Sequence, residues 1–343
     1  MSESDIKTMK DSSVLDETLK KDVERGCDAI MFNCALLQSN ESVLIISDSE
    51  TKKLGDLLAN SAADVASRVE HLTLHPFTMH GQSPPDQVGE KMLMYDVVCG
   101  ITKFSLAHSE ARLRATERGA KYVSLPDYSL ELLADPALTM DFPSLVDLST
   151  SLARIFTDSN TIRVTTRAGT DLLLNVEGRV GNAAPGCCFD RGIISSPPDA
   201  ETNISIVEDS ADGVLVVDGS IPCPEIGLLK SPITLHFRNG YVEEIEGNIS
   251  GTLTELFDRL GNRNTRIAAE FGVGLNPKAK LCGKMLPDEG ALGTFHIGMG
   301  ANATIGGQNS VPFHLDHVVK DPTIQADDML ITSDGNILIP QRG

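Results

Sequence analysis

Apolar and polar positions alternate in one way in the first half of the chain and in another way in the second. Between residues 43 and 140, short apolar runs are separated by segments whose apolar residues recur every three or four positions. Strands followed by amphipathic helices at this spacing are typical of an open parallel sheet. The predicted strands are VLIIS (43–47), VEHLTL (69–74), YDVVCGI (95–101) and KYVSLP (121–126), and the predicted helices are KKLGDLLANSAADVASRVE, SEARLRATERGA and the stretch 144–157.

After about residue 160 the helical pattern thins out, and only one further helix is predicted, near 252–261. Short strands are joined there by AG, RNG and SDG turns, which are typical of hairpins. We therefore expect an α/β plus β-rich protein. The expected domains are an N-terminal open parallel-sheet α/β domain, residues 1–150, and a C-terminal β-rich domain, residues 151–343, which the candidate residues described below make the metal-binding domain.

Charge and composition narrow the classes of partner. The net charge is -19, from 48 acidic and 29 basic residues, and without a basic patch the chain would repel nucleic acid. No apolar run approaches the roughly 18 residues of a membrane helix, and the first residues lack the apolar segment of a signal peptide. Seven cysteines without a CxxC motif favour free thiols in a reducing compartment. We expect a cytoplasmic protein that acts on a small molecule.

The most informative short stretch is VPFHLDHVV, residues 311–319, where polar groups interrupt a strand that should be buried. Residues i and i+2 of a strand share a face, so His314 and Asp316 project together while His317 points the other way. Imidazole and carboxylate together suit a divalent ion such as zinc, manganese, cobalt or iron. A hydrogen-bonded pair in the core would give the same pattern.

Other isolated polar residues lie in apolar, glycine-rich strands of the same half. They are His296 in GTFHIGMGAN and Glu270 in RIAAEFGVGLN, with Glu201 in SPPDAETNIS as a less specific candidate. A buried unpaired charge costs several kcal/mol, so such groups are normally paired or bound to a metal. The alternative is a set of separate, satisfied core groups or, for Glu201, a surface carboxylate.

Two loops offer further candidates. His108 in ITKFSLAHSEARLRA lies between a strand and a helix, where ligands of open α/β sheets bind. A histidine that caps the helix or is simply exposed to solvent would give the same sequence pattern. Asp288 and Glu289 in LPDEGALG could receive a histidine proton or shuttle a proton, although loop acids are usually solvated.

From about residue 150 onward the chain resembles the thermophilic aminopeptidase T family of metallopeptidases, and the first half is compatible with that family's α/β domain. The connecting text EDSADGVLVVDGSI is also similar to the family's corresponding stretch. The family's ligand pattern is matched in order by residues in SPPDAETNIS, AAEFGVGL, DEGALGTFHIGMG and HLDHVV. The resemblance implies the metal ligands Glu201, Glu270, His296, His314 and Asp316.

Five ligands imply two divalent ions, with Zn, Mn or Co as the candidates, bridged by a carboxylate and an activated water. The main expectation is thus a metal-dependent hydrolase that cleaves a C–N bond, with Glu201, His108 and Glu289 as the catalytic candidates. Family members are often dimers, which implies a homodimer. One departure is Ala303, which stands where the aminopeptidases carry a catalytic tyrosine, so a small non-peptide substrate is expected.

The chain also resembles the 2,5-dihydroxypyridine 5,6-dioxygenases in its GxGL strand, its GxN…GG loop and its terminal HLD. Their single iron is held by two histidines and one aspartate, and the matching positions here are Glu270, His314 and Asp316. His296 stands where those enzymes have an apolar residue, and His108 resembles their substrate-contacting histidine. The alternative expectation is therefore an Fe(II) ring-cleaving dioxygenase acting on a hydroxylated N-heteroaromatic, and a third is a non-enzymatic scaffold with a structural ion.

Overall fold

The computed structural model describes residues 17–339, and their first part alternates helix and strand. The apolar runs form fully buried strands, such as the one at 43–48, and the amphipathic runs cover the sheet. In chain order the elements are α1 (Glu17–Asp28), a π-helical turn (Ala29–Cys34), β1 (Ser42–Asp48), α2 (Lys52–Ala63), β2 (Arg68–Leu74), α3 (Asp86–Met92), β3 (Val97–Ile101), α4 (Glu110–Glu117), β4 (Lys121–Ser124), α5 (Leu130–Leu133), two 3₁₀ turns (Pro136–Thr139 and Phe142–Leu145) and α6 (Val146–Asp158).

These strands form a five-stranded parallel sheet in the order β2-β1-β3-β4-β8. Its last strand, β8 (Ile194–Ser195), comes from the second half of the chain. The strand order changes direction at β1, which has β2 on one side and β3 on the other. Ligands of open α/β sheets bind at such a switch point, beyond the carboxyl ends of the strands. The loops after β1, β2 and β3 lie at this end of the sheet, which we call the switch-point crevice.

The rest of the chain forms two antiparallel sheets, of eight strands in the order β14-β13-β10-β6-β5-β18-β19-β20 and of seven strands in the order β12-β11-β17-β16-β15-β9-β7. The elements are β5 (Thr161–Thr165), β6 (Asp171–Asn175), β7 (Asn182–Ala184), β9 (Glu201–Ser205), β10 (Asp212–Val217), β11 (Ser220–Ile221), β12 (Gly227–Leu228), β13 (Ile233–Arg238), β14 (Tyr241–Glu246), α7 (Ser250–Asp258), a 3₁₀ turn (Arg263–Arg266), β15 (Ala268–Gly274), α8 (Met285–Glu289), β16 (Thr294–Gly300), a 3₁₀ turn (Ala303–Ile305), β17 (His314–Lys320), β18 (Thr323–Ala326), β19 (Met329–Ser333) and β20 (Asn336–Ile337). The predicted mixture of a parallel α/β part and a β-rich part is confirmed.

One face of the seven-stranded sheet holds the main hydrophobic core. Phe271 of β15 and Phe295 of β16 are fully buried there, and the Phe271 ring lies 5.6 Å from that of Phe156 on α6. Burying one such side chain stabilises the fold by about 1.5–3 kcal/mol. Because side chains alternate along a strand, anchoring these residues in the core turns their neighbours to the opposite face.

The element bounds differ from the predicted ones mainly at the ends. The helix predicted across 52–70 ends at Ala63, because its last residues enter the parallel strand Arg68–Leu74. The helices predicted near 144–157 and 252–261 are Val146–Asp158 and Ser250–Asp258.

The structure also bears on two expectations from composition. No helix within residues 17–339 has the length and apolar character needed to cross a membrane. All of the cysteines are free thiols, and those at 27, 34, 99, 187 and 188 are buried.

Candidate metal centre

Four neighbouring strands of the seven-stranded sheet, in the order β17-β16-β15-β9, present their polar side chains on one face. In the strand register Glu270 stands opposite Ser205 on one side and Gly298 on the other, and Gly298 is in turn opposite Asp316. Alternation along each strand then assigns the remaining positions to the same face. That face carries Glu201, Asn203 and Ser205 of β9, Glu270 of β15, His296 of β16, and His314 and Asp316 of β17.

Glu270, His314 and Asp316 form a compact triad of potential ligands, all within 4.8 Å of one another. The His314 Nε2 atom lies 3.3 Å from Glu270 Oε2 and 3.3 Å from Asp316 Oδ1. His314 Nδ1 lies 2.9 Å from the carbonyl oxygen of Ala301, to which it donates its proton. That hydrogen bond leaves the Nε2 lone pair free for a metal, as in most metal-bound histidines.

A second set lies beside the triad and shares Glu270 with it. Glu201, Glu270 and His296 also have ligand atoms within 4.8 Å of one another, and His296 Nε2 is 3.2 Å from Glu201 Oε2. The Asn203 amide donates to Glu201 Oε1 at 2.6 Å, which orients that carboxylate. The structure thus brings all five candidate ligands close together, in two overlapping groups.

Two glycines make room for these side chains. A Cβ atom at Gly272 would lie 2.2 Å from the His296 ring and 2.8 Å from Glu201 Oε2. A Cβ atom at Gly298 would lie 2.7 Å from the His314 ring and 3.0 Å from Asp316 Oδ1. All four distances are shorter than ordinary contacts, so glycine at these two strand positions leaves room for the candidate ligands.

The electrostatics of the centre call for a cation. Burial and the neighbouring carboxylates raise the pKa values of Asp199 and Glu201 well above their usual range. Burial opposes the charged form of His314, yet Asp316 and Glu270 outweigh it and raise the pKa of His314. Buried carboxylates collected this closely need bound protons or a metal ion to offset their charge.

Several buried atoms of the centre also lack hydrogen-bond partners within residues 17–339. They are Asp199 Oδ1, Glu201 Oε2, Asn203 Oδ1, His296 Nδ1 and Asp316 Oδ1. Buried polar atoms are nearly always paired, so unpaired ligand atoms on one face indicate a missing partner. The donor set of imidazoles and carboxylates suits a divalent cation.

Glu289 and Asp288 take different places at the end of α8. Burial and the charge of Asp316 raise the pKa of Glu289 well above its usual range, which favours its protonated form beside Asp316. Asp288 instead accepts hydrogen bonds from the backbone N–H groups of Cys282 and Gly283 at 2.6 and 2.8 Å, which holds the preceding loop.

His317 lies on the core face of β17, as the strand alternation predicts. Its Nδ1 atom is 3.0 Å from the Leu315 carbonyl oxygen, and its ring stacks on Phe257 at 6.0 Å. Burial lowers the pKa of His317 to about 4, so the ring is neutral and takes no place among the ligands.

His108 brings the α/β part to the metal centre. It follows β3 at the switch-point crevice, and its neighbour Ser109 caps α4 by accepting the Arg112 N–H. Burial lowers the pKa of His108, as do the charges of Arg112 and His314, while Glu270 opposes them. Solvent reaches the triad at His314, whose side chain is 36% exposed, whereas that of Asp316 is only 6% exposed.

Sequence reasoning missed some residues of the centre. Asp199 and Asn203 are buried on either side of Glu201, and His80 lies in the loop after β2, close to His108. Strand alternation could have found Asn203, since it is two residues from Glu201. His80 carries no such signal, because its neighbours come from a distant part of the chain.

Comparison with known proteins gives a consistent result. The family model of NicX, 2,5-dihydroxypyridine 5,6-dioxygenase, matches residues 26–339. A 2,5-dihydroxypyridine 5,6-dioxygenase of Pseudomonas putida is 28% identical over 145 residues, which span 39% of this chain and only 41% of that relative. The solved structure of the 2,5-dihydroxypyridine dioxygenase from Pseudomonas putida KT2440 superposes with a TM-score of 0.80 at 19% identity, covering 94% of this chain and 98% of that one. Wild-type AmpT from Thermus thermophilus superposes with a TM-score of 0.66 at 15% identity, covering 94% and 100%.

These findings show that the expectation of an aminopeptidase-like metallohydrolase is wrong. The family model that covers almost all described residues is that of a dioxygenase, and the likeness to AmpT is one of fold alone. The physical reason is that one fold can carry several chemistries, so the order of the candidate ligands along the chain does not by itself identify the reaction. Ala303, in the turn Ala303–Ile305, offers no phenol for a peptidase mechanism.

Proposed function

Because the chain belongs to the 2,5-dihydroxypyridine 5,6-dioxygenase family, we propose that it is an Fe(II)-dependent dioxygenase that opens the ring of a hydroxylated N-heteroaromatic compound. The observation that carries the proposal is the family match over residues 26–339, together with the ligand triad on the open side of the sheet. The reference substrate for the tests is 2,5-dihydroxypyridine, because the relatives are named for their action on it.

Glu270, His314 and Asp316 would hold the iron. The residues fit such an ion, since a histidine with a free Nε2 and two carboxylates are donors that Fe(II) accepts. The set departs from the family's two histidines and one aspartate by the glutamate at 270, which adds one negative charge. This triad offsets the whole charge of a divalent ion, whereas two histidines and one carboxylate would leave one positive charge.

Glu201 and His296 would hold a second divalent ion, with Glu270 shared between the two positions. The support is electrostatic, because Asp199, Glu201, Glu270 and Asp316 are all at least nine-tenths buried in one centre. One divalent ion cannot balance this many carboxylates unless some of them are protonated. Zinc, manganese and cobalt are the candidates for this position, which does not need to change its oxidation state.

A ring dioxygenase breaks one carbon–carbon bond of the substrate and adds both atoms of O₂ to the product. The ring loses four electrons and O₂ gains them, so no external reductant is needed. When bound, Fe(II) supplies the electron exchange that allows O₂ to react with a closed-shell ring. His108 is neutral at pH 7 because burial lowers its pKa, and it accepts the proton of a ring hydroxyl, which makes the ring more electron-rich.

Glu289 keeps its proton on the Asp316 side of the centre, which orients that carboxylate toward the metal. We assign it a positioning role and assign His108 the acid–base role. Glu201, a candidate for catalysis in the sequence, serves in this proposal as a ligand.

The unpaired cysteines support a reducing compartment such as the cytoplasm. A homodimer remains a proposal from the sequence resemblance, and light scattering during gel filtration measures it directly.

The test of the function is oxygen uptake by protein loaded with Fe(II) under anaerobic conditions. We expect one O₂ consumed per 2,5-dihydroxypyridine lost, and no uptake by Asp316→Asn or His314→Gln. His75→Gln is the matched control, because His75 is exposed on a loop outside the centre. Full iron loading without oxygen uptake on any dihydroxypyridine would refute the proposal.

A further inference from the structure

The loop after β2 is tied to the loop after β3 by two hydrogen bonds. The Gly81 N–H donates to the Ser105 carbonyl oxygen at 2.8 Å, and the Ser105 N–H donates to His80 Nδ1 at 3.2 Å. Gly81 has a φ of +77°, a conformation that favours glycine and lets the loop turn at this point. The paired hydrogen bonds hold the His80 ring at the border of the switch-point crevice.

These contacts also define the protonation of the ring. Because Nδ1 accepts a hydrogen bond, it carries no proton, and the neutral ring has its proton on Nε2. Phe104 contacts the His80 ring edge-on, with centroids 5.3 Å apart and planes at 85°, which restrains its rotation. Within residues 17–339, Nε2 has no hydrogen-bond partner, and the side chain is exposed.

His80 is close to the histidine that faces the metal centre. A Cβ atom on Gly81 would lie 3.7 Å from the Cβ atom of His108, so the two histidines flank the same opening. His108 in turn experiences the charges of His314 and Glu270. An unoccupied Nε2–H donor therefore lies on the α/β side of the cleft, beside the group that faces the ligand triad.

The other histidines near this loop differ from His80. His71 is held by Ser47 Oγ at 2.7 Å and by Asp56 Oδ1 at 2.9 Å, so its nitrogens are already used inside the α/β part. His75 is exposed at the start of the loop and has no such clamp. Among the histidines that the structure describes, His80 alone combines a restrained ring with a free donor next to His108.

We propose that His80 is a substrate-positioning residue that donates its Nε2–H to an ionised oxygen, a hydroxylate or a carboxylate, on the ring compound. The inference rests on the proposed function. His80 and His108 then hold the ring's oxygen substituents from the α/β side while the opposite edge faces the triad. Fixing a ring at two points sets which of its bonds meets the metal centre.

The test measures binding of 2,5-dihydroxypyridine to Fe(II)-loaded protein without oxygen, by calorimetry. His80→Asn keeps an oxygen near the position of Nδ1 and so preserves the Ser105 clamp, but it removes the Nε2 donor. His80→Gln places an amide N–H near the position of Nε2. The matched control is His75→Asn, an exposed histidine at the start of the same loop that lacks the Ser105 clamp.

We expect His80→Asn to weaken binding about tenfold or more, since hydrogen bonds to charged groups are worth about 1.5–3 kcal/mol. KM should rise by a similar factor with a smaller change in kcat, and His80→Gln should restore part of the affinity. The iron content and the thermal midpoint of His80→Asn should match those of the wild type.

Unchanged affinity in His80→Asn would overturn the role of His80 and leave the proposed function intact. Equal losses in the Asn and Gln variants, with a lowered thermal midpoint in both, would also overturn it, because the residue would then act only through the loop. Failure of the wild type to bind the ring would refute the proposed function, and this contact with it.

Discussion

Replacing Gly298 by alanine tests whether the strand face is shaped around the ligand triad. The new Cβ atom would lie 2.7 Å from His314 Cε1, whereas ordinary contacts begin near 3.4 Å, so the ring has to move by about 0.7 Å. Functional sites tolerate displacements of about 0.5 Å before they lose function. No left-handed φ is involved at Gly298, so the effect is one of space and not of backbone strain. Overpacking of this kind costs about 1–3 kcal/mol of folding free energy.

We expect Gly298→Ala to bind Fe(II) about 10- to 100-fold more weakly, the range seen when the orientation of metal ligands is disturbed. Anaerobic calorimetry gives the iron affinity, and urea unfolding with a chelator present gives the stability of the metal-free protein. The matched control is Gly251→Ala, where nothing lies within 4 Å of the added carbon in helix α7. That variant should bind iron like the wild type and gain a few tenths to one kcal/mol in stability. Wild-type iron affinity in Gly298→Ala would refute the reasoning.

Three further predictions concern single side chains. Glu201→Gln and His296→Gln should each lower the content of divalent ions, measured by elemental mass spectrometry, from two per chain to one, while the rate of ring cleavage stays within about tenfold of the wild type. Loss of the iron as well would contradict two separate metal positions. Burial, Arg112 and His314 lower the pKa of His108 below its ordinary 6.5, so kcat/KM should be full at pH 7 and should fall as the pH drops through that lowered pKa. His108→Gln should remove this acid limb from the pH profile. An acid limb that starts above pH 6.5 would contradict the role of His108. Glu289→Gln should change the free energy of unfolding by less than about 1 kcal/mol, because the raised pKa favours a protonated side chain at this position. Glu289→Ala should lower the free energy of unfolding by about 1–3 kcal/mol, as measured by urea titration. Equal losses in the two variants would contradict a protonated Glu289.

The pair His314 and Asp316 could be predicted from the sequence because both lie on one strand. A spacing of two residues places them on the same face whatever the rest of the fold does. The parallel sheet was predictable for a similar reason, since each apolar run is local and its spacing to the next helix is regular. The ends of elements were less certain, as at Ala63, where the helical pattern runs into a strand.

The meeting of Glu201 with His296 depends on long-range register. Glu201 pairs with Gly274 and His296 with Gly272, and a register shift between Ala268 and Glu270 adds an irregularity that no local pattern shows. The neighbourhood of His80 depends on two loops brought together by the parallel sheet. The reaction could not be predicted from the candidate ligands either, because one fold can carry several chemistries.

The most direct test of the central claim is the fate of isotopically labelled dioxygen during turnover of 2,5-dihydroxypyridine by the Fe(II)-loaded protein. Mass spectrometry of the ring-opened product should find both labelled atoms in it, and Asp316→Asn, with its triad incomplete, should form no such product. A product that contains oxygen from water and none from dioxygen would contradict the account, because the metal centre would then carry out hydrolysis.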